Sequence, residues 1–207
     1  MAKIKALLFT GGEIHDWKGC GDEIEKTLRA AGDFEITRTN DDLSAFESPN
    51  LDPYDVVVFY YTRGKLTDAG KNGLLNWIAG GKGFVGIHSA TASFHGCPEY
   101  LCMVGGHFVT HPAPRKYQVS IADPTHPITK DLIEFLVEDE QYIMDYDPGV
   151  NVLASALWEG EKMPVAWTKP WGKGRVFYLA LGHSPEACRD ENFKTLLLRG
   201  SIWAAGA

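Results

Sequence analysis

The sequence lacks the patterns that mark nucleic-acid-binding and membrane proteins. Its 27 Asp and Glu outnumber its 20 Lys and Arg, so the formal net charge is −7 at pH 7, and no basic run offsets this acidity. No apolar run approaches the roughly 20 residues that a membrane-spanning helix needs. We therefore expect neither a nucleic acid nor a membrane as a partner.

Cysteine is scarce, and local metal motifs are missing. The four cysteines form no CxxC pair and lack the spacing of a disulfide framework. The opening MAKIKALLFTGG is too short in its apolar part for a secretory signal, because Glu13, His15 and Asp16 follow it. These features predict reduced thiols in a cytoplasmic protein. The chain has no HExxH or HxH motif, and GGEIH after the first apolar run does not match the dinucleotide-binding GxGxxG.

Apolar runs alternate with amphipathic segments through the first half of the chain and again at its end. Strands of a buried parallel sheet are predicted at residues 3–10, 34–39, 55–61, 83–88 and 174–181. Helices are predicted at residues 18–31, 67–79 and 190–204. Shorter strands at 116–122, 151–158 and 163–168 predict an antiparallel extension. The expected fold is a single α/β domain over residues 1–207, with helices on both faces of a mostly parallel sheet.

Histidines follow three of the four central strands of the predicted sheet. His15 comes after the strand at 3–10, His88 ends the strand at 83–88, and His183 follows the strand at 174–181. Tyr61 and Arg63 lie at the end of the strand at 55–61. Ligands of open α/β sheets bind beyond the carboxyl ends of the parallel strands. The pattern therefore predicts a site that contains several imidazoles.

Five sequence blocks resemble the ThuA-like family, which is named for trehalose utilisation. They are GFVGIHSATASF (83–94), GGHFVTHP (105–112), DPTHPIT (123–129), DEQY (139–142) and GKGRVFYLALGH (172–183). The resemblance implies the flavodoxin-like, three-layer fold of class I glutamine amidotransferases and a cytoplasmic role with sugars. Some family members occur beside sugar dehydrogenases, which implies a 3-keto glycoside as substrate and a dehydrogenase as a pathway partner.

The amidotransferase nucleophile is missing from this chain. His88 stands in Gly-Ile-His, where amidotransferases place the cysteine of a Gly-Ile-Cys elbow. Imidazole replaces a thiolate poorly in amide hydrolysis, so glutaminase activity is not expected. The His-Pro-Glu of those enzymes is lengthened to His183-Ser184-Pro185-Glu186, which puts a His183–Glu186 dyad in doubt.

If the implied fold is correct, His88 and His183 face each other at neighbouring strand ends. A divalent metal, with zinc as one candidate, would explain such a pair of imidazoles. Further ligands are expected from His15, from His111 or His107, or from Glu140. The resemblance of the His-Pro context favours His111 over His107.

The expected reaction is a metal-assisted proton transfer on a keto-sugar, as in an isomerase, lyase or hydratase. Glu140, Tyr142 and His183 are the candidate catalytic groups. The candidate contacts to the sugar are Arg63, Tyr61, Ser89 and Trp167. For each aromatic residue a place in the core is the competing interpretation.

Two other functions remain open at this point. The scaffold can serve as a non-catalytic sugar-binding or regulatory module that has lost its nucleophile. Alternatively, Ser89 can act as a hydrolase nucleophile with His183 and either Glu186 or Asp190, although the sequence around Ser89 breaks the GxSxG pattern. The closing segment LLLRGSIWAAGA permits a homo-oligomer without requiring one.

Overall fold

A computed structural model describes residues 2–207, and a nine-stranded mixed sheet lies at its centre. The strands are β1 (Ile4–Gly12), β2 (Phe34–Asn40), β3 (Val56–Thr62), β4 (Gly83–Ile87), β5 (Gly106–Thr110), β6 (Arg115–Ile121), β7 (Phe135–Asp139), β8 (Ile143–Tyr146), β9 (Asn151–Trp158), β10 (Glu161–Trp171) and β11 (Gly174–Leu179). The helices are α1 (Trp17–Ala31), α2 (Asp68–Ala79), α3 (Pro98–Val104), α4 (Pro185–Cys188) and α5 (Glu191–Ala204).

The strand order of the large sheet is β2-β1-β3-β4-β11-β10-β9-β6-β7. The first five strands are parallel, and the remaining four are antiparallel to their neighbours. We call these two parts the parallel half and the antiparallel half. The prediction of an α/β fold with a mostly parallel sheet and an antiparallel extension is confirmed. β5 and β8 form a separate two-stranded ribbon.

Five elements were absent from the sequence-based prediction. They are the ribbon strands β5 and β8, the edge strand β7 and the short helices α3 and α4. Each is seven residues or shorter, which is too short for hydrophobic periodicity to distinguish a helix from a strand.

The core consists of two apolar layers, one on each face of the sheet. Alternate residues of β1 point to opposite layers, with Ala6 and Leu8 in one and Leu7 and Phe9 in the other. Helices α1 and α5 cover the first face, and α2 and α3 cover the second. This is the three-layer arrangement that the family resemblance implied. No helix within residues 2–207 has the length and apolar character to cross a bilayer.

Candidate metal centre

Three histidines and one glutamate meet at the carboxyl end of the parallel strands. Each offers one ligand atom, and these four atoms all lie within 4.8 Å of one another. We call this set the histidine–glutamate cluster; its members are His15, His88, Glu140 and His183. The expectation that imidazoles gather at the strand ends agrees with this placement.

His88 occupies a strained elbow directly after β4. Its φ of +46° lies in the left-handed region, which non-glycine residues enter rarely. The side chain is fully buried, and its Nδ1 lies 2.7 Å from the Ala180 carbonyl oxygen. Because a carbonyl oxygen only accepts, Nδ1 carries the proton in the neutral ring, and Nε2 keeps a free lone pair. Within residues 2–207, that buried Nε2 has no hydrogen-bond partner.

His15 reaches the cluster from the loop after β1. At Gly12, with φ of +85°, a Cβ would stand 2.3 Å from the Thr62 carbonyl oxygen, so only glycine lets the two strand ends approach so closely. His15 Nδ1 then lies 2.8 Å from the Thr62 hydroxyl. Burial, reinforced by His88 and His183, lowers the pKa of His15 to about 3. The ring is therefore neutral at physiological pH, as a metal ligand must be.

His183 follows β11 and faces the carboxylate of Glu140. Its Nδ1 lies 3.0 Å from Glu140 Oε2, yet the angles leave this buried nitrogen without a well-formed hydrogen bond. The carboxylate raises the pKa of His183 above its usual value. Two of the three cluster histidines thus have a buried nitrogen whose hydrogen-bonding capacity is unused, although such atoms are normally paired.

Glu140 comes from the antiparallel half, just beyond the end of β7. Its Oε2 lies 3.5 Å from His88 Nε2 as well as 3.0 Å from His183 Nδ1. Burial acts to raise the pKa of this carboxyl, but the two facing imidazoles outweigh burial and hold the pKa well below its usual range. Glu140 is therefore an ionised oxygen donor that faces two imidazole nitrogens.

Asp139 fixes Glu140 against the loop that carries His183. Its buried carboxylate accepts hydrogen bonds from three main-chain N–H groups, those of Glu140 (2.8 Å), Gly182 (2.7 Å) and His183 (3.1 Å). Burial raises the pKa of Asp139. The Asp139 side chain therefore joins the segment that carries Glu140 to the segment that carries His183.

The donor set fits a divalent transition metal. Ligand atoms about 2.0–2.2 Å from a zinc ion stand no more than about 4.4 Å apart, so small shifts would place all four around one ion. Imidazole nitrogens with one carboxylate oxygen are typical donors for zinc and related ions. The Ala180 carbonyl that orients His88 is the kind of outer partner that metal-binding histidines have. The two unpartnered nitrogens would be satisfied by such an ion.

His111 lies at the edge of the cluster, outside the four residues whose ligand atoms lie within 4.8 Å of one another. Its Nδ1 is 3.4 Å from Glu140 Oε1, the oxygen turned away from the other histidines, and 2.9 Å from the carbonyl oxygen of Pro112. The ring is exposed, so it stands between the cluster and solvent. His107 lies on β5 opposite Asp145 and does not join the cluster, so His111 is the closer of the two candidates.

Tyr142 forms one wall of the cluster. Its ring centroid lies 4.1 Å from that of His88 and 4.5 Å from that of Phe108. Burial raises the pKa of Tyr142 well above its usual value, so its hydroxyl stays protonated. Tyr142 is therefore better suited to donate a hydrogen bond than to act as a base.

Three predicted sugar contacts belong instead to the interior. Trp167 is entirely buried, and its indole N–H donates to the Val104 carbonyl, so neither ring face is open to a ligand. Tyr61 packs between core rings, stacked on Phe94 at 5.6 Å. The buried hydroxyl of Ser89 donates to the Tyr61 carbonyl.

The fourth predicted sugar contact, Arg63, is exposed. Its guanidinium pairs with Glu13 at 2.8 Å, near the ends of β1 and β3.

The structure contradicts the serine hydrolase hypothesis. Glu186 is exposed and pairs with Arg189, and Asp190 caps α5 through the N–H groups of Asn192 and Phe193. Neither acid partners His183, which faces Glu140 instead. With the Ser89 hydroxyl bound to a main-chain carbonyl, no nucleophile–base pair forms.

A family model described as ThuA, trehalose utilisation, matches residues 5–204. The chain belongs to the ThuA family. Among solved structures, a ThuA-like protein from Parabacteroides merdae is similar over 98% of this chain and 90% of that one, with 24% identity and a TM-score of 0.89. A ThuA-like protein from Bacteroides uniformis has 23% identity and a TM-score of 0.83, over 98% of this chain and 92% of that one.

A third similar structure is a cytoplasmic protein from Salmonella typhimurium LT2. It has 14% identity and a TM-score of 0.72, over 97% of this chain and 99% of that one. No curated protein matches the chain significantly. These likenesses establish the ThuA fold but do not identify a reaction.

Sequence reasoning missed one residue that shapes this ThuA site. Glu138, Asp139 and Glu140 read as an acidic run of the solvated kind, yet only Glu138 is exposed. The alternation of β7, in which Val137 and Asp139 point inward, was the available signal. It was obscured because β7 itself was not predicted.

Proposed function

We propose that this protein is a metal-dependent enzyme that acts on a keto-glycoside or related sugar by proton transfer, as an isomerase, lyase or hydratase. The observation that carries the proposal is the buried set of three imidazoles and one carboxylate, with two nitrogens unpartnered. Buried polar atoms without partners are costly, and they mark sites where a ligand completes the structure.

The metal would be held by His15, His88 and His183, with the Glu140 carboxylate beside it. A bound divalent ion would supply Lewis-acid polarisation of a sugar carbonyl, which acidifies the neighbouring C–H bond. Catalytic sites commonly use three protein ligands and keep one position open for water or substrate. With His15, His88 and His183 as those three ligands, Glu140 stays free to serve the reaction.

Proton transfer is assigned to Glu140, with His183 beside it. The two groups lie 3.0 Å apart, and each stabilises the charged form of the other. The carboxylate would take a proton from one carbon or oxygen of the sugar and return it to another. His111, exposed and 3.4 Å from the outer oxygen of Glu140, would exchange that proton with solvent. The protonated Tyr142 hydroxyl would donate to a sugar oxygen.

The sugar substrate is supported by the family description, trehalose utilisation. A keto-sugar suits such a site, because its carbonyl acidifies the neighbouring C–H bond from which Glu140 would take the proton. A dehydrogenase that oxidises the glycoside would supply it. We propose the cytoplasm as the compartment, since the Salmonella relative is described as a cytoplasmic protein.

The first test is the metal content of untagged protein purified without chelator. Wild type should contain close to one equivalent of zinc or a related divalent ion, and His88→Ala should lose it. His95→Ala is the matched control, because His95 is exposed and outside the cluster. Adding zinc to the stripped wild type at 100 times Kd should raise the free energy of unfolding by about 2.7 kcal/mol. Wild type without metal affinity would reject the proposal.

The second test follows product formation from keto-glucosides by the metal-loaded protein. Glu140→Gln should lower turnover by roughly 10²–10⁴-fold, the usual contribution of an acid or base. Sugar binding without any product would favour the non-catalytic module instead.

A further inference from the structure

A cavity of about 590 Å³ lies next to the histidine–glutamate cluster, between β7, α4 and the start of α5. His183 of the cluster lines it, together with Asp139, whose carboxylate binds the His183 main-chain N–H. The side chain of His183 is 32% exposed, whereas those of Glu140 and His88 are 7% and 0% exposed. Small-molecule sites typically have volumes of about 300–1,000 Å³. A small molecule in this cavity would therefore contact the cluster through His183.

The positive charge in this cavity is already compensated. Among the described residues that line it, Arg189 is the one lysine or arginine. Its Nε donates to Glu23 Oε1 at 2.8 Å, and its Nη1 donates to Glu186 Oε1 at 3.1 Å. The hydrogen bond from Arg189 lowers the pKa of the Glu23 carboxyl, so that carboxyl is ionised at pH 7. One guanidinium is thus bound by two carboxylates, and the group has an excess of negative charge.

The start of α5, which could also attract an anion, is occupied by a carboxylate. Helix N-termini bind phosphate through their free N–H groups and the positive end of the helix dipole. Here Asp190 Oδ1 accepts the N–H groups of Asn192 and Phe193, at 2.8 and 3.1 Å. Asp190 and Phe193 both line the cavity. An incoming anion would have to displace this carboxylate.

The rest of the lining suits an uncharged ligand with hydroxyl groups. Glu138 adds an exposed carboxylate to the cavity. Val137 and Leu181 supply apolar surface, and Ser184 supplies a hydroxyl. A sugar ring has an apolar face of C–H bonds, and its hydroxyl groups can donate to carboxylates, which form the stronger kind of hydrogen bond. A phosphate or carboxylate group on the sugar would instead meet like charges.

We propose that this cavity holds the sugar on which the cluster acts, and that its excess of carboxylates selects uncharged sugars over sugar phosphates and sugar acids. This inference rests on the proposed sugar site at the histidine–glutamate cluster. Glu23 is a specificity-determining residue in this arrangement, although it does not line the cavity, because it prevents Arg189 from binding an anion.

The test is a calorimetric and NMR titration of zinc-loaded protein with three matched probes: methyl β-D-glucoside, its 6-phosphate and methyl β-D-glucuronide. None of the probes needs to react, so binding is measured apart from catalysis. The glucoside should bind about tenfold more tightly than either anion at low salt. High salt should narrow this ratio, because it screens exposed charges. The backbone amides that the glucoside perturbs should lie on α4 and at the start of α5.

Glu23→Gln removes one of the two partners of Arg189. It should strengthen the binding of both anions by about tenfold relative to the glucoside, because the guanidinium can then bind a phosphate or carboxylate. Adding Arg189→Gln to this variant should remove the gain. Glu99→Gln is the matched control, since it takes one carboxylate from an ion pair with Lys71, at 3.0 Å, away from the cavity. It should change the affinity ratio by less than about twofold.

The other outcomes separate this inference from the proposed function. Anions that bind wild type as tightly as the glucoside would overturn the charge selection and leave the sugar site standing. Perturbed amides on β5 and β8 instead of α4 would place the sugar outside the cavity and overturn the inference as well. No binding of any probe to zinc-loaded wild type would overturn the sugar site together with the inference. Equal gains for Glu99→Gln and Glu23→Gln would show that the role assigned to Glu23 is wrong.

Discussion

The parallel half of the sheet supplies every histidine of the cluster, whereas the antiparallel half supplies its carboxylate. His15, His88 and His183 follow β1, β4 and β11, whose ends lie together in any open parallel sheet. Glu140 follows β7, the outermost strand of the other half. The sheet curls so that this distant strand end returns to the loop after β11, as the Asp139 hydrogen bonds show.

The histidines and the carboxylate of the site are therefore held in place in different ways. The histidines are fixed by the local backbone, by the elbow at His88 and by the close approach at Gly12. Glu140 depends on a long-range contact made by its neighbour Asp139. A site assembled in this way is most vulnerable at the junction between the halves.

The largest effect is expected when that junction is broken. Asp139→Ala leaves three main-chain N–H groups without their acceptor, and we expect a loss of about 3 kcal/mol in the free energy of unfolding. Zinc affinity should fall by about 10–100-fold because His183 and Glu140 are no longer held together. Urea denaturation and a zinc titration measure the two quantities.

The neighbouring carboxylate provides the control for this experiment. Glu138→Ala removes an exposed side chain with one loose ion pair to Lys116, at 3.7 Å, and should change neither quantity. If Asp139→Ala lowered stability but left zinc affinity intact, the two halves would be docked by other contacts, and the role assigned to Asp139 would be wrong.

The same division explains how far the sequence alone could lead. The strands of the parallel half are continuous apolar runs with clear ends, so their residues at the carboxyl edge, including all three cluster histidines, could be predicted. The antiparallel half has short strands whose pairing depends on distant partners, and β7 was not predicted at all. Glu140 was identified only through the family block DEQY, and Asp139 was missed.

Side-chain environment was the other quantity that the sequence left open. Tyr61 and Ser89 border the correct strand ends, and Trp167 lies within β10, yet all three are buried in the interior. A one-residue change of direction along a strand decides between cleft and core. In a strand that is buried on both faces, the sequence does not indicate whether an apolar or aromatic side chain points into the cleft or into the core.

A smaller effect on the free energy of unfolding is expected from pH. It tests a histidine of the parallel half, His15. His15 has a pKa of about 3 in the folded protein and about 6.5 when unfolded. Between these values the unfolded state binds a proton that the folded state does not, so stability falls as pH drops below 6.5. The loss at pH 5 would be about 2 kcal/mol for a fully buried ring and about 1 kcal/mol for this partly exposed one.

Metal-free protein is the material for the pH measurement, because a bound ion would add its own proton competition. Urea unfolding at pH 7 and pH 5 should show a smaller loss for His15→Asn than for wild type. His183 acts in the opposite direction, since its raised pKa favours the folded state at low pH, but it is present in both proteins and largely cancels. Equal pH dependence of the two proteins would show that His15 is not held neutral by the fold.

The smallest expected effect tests whether the acidic partner of His183 has moved from one half to the other. In the amidotransferase-like pattern that acid would be Glu186, on α4 beside the parallel half. Here Glu186 is exposed and bound to Arg189, while Glu140 faces His183 at 3.0 Å. Glu186→Gln should therefore leave zinc affinity, turnover and stability unchanged, whereas Glu140→Gln should weaken zinc binding and turnover with the fold intact. If Glu186→Gln were instead the damaging substitution, the acidic partner of His183 would come from the parallel half. The assignment of the carboxylate to the antiparallel half would then be wrong.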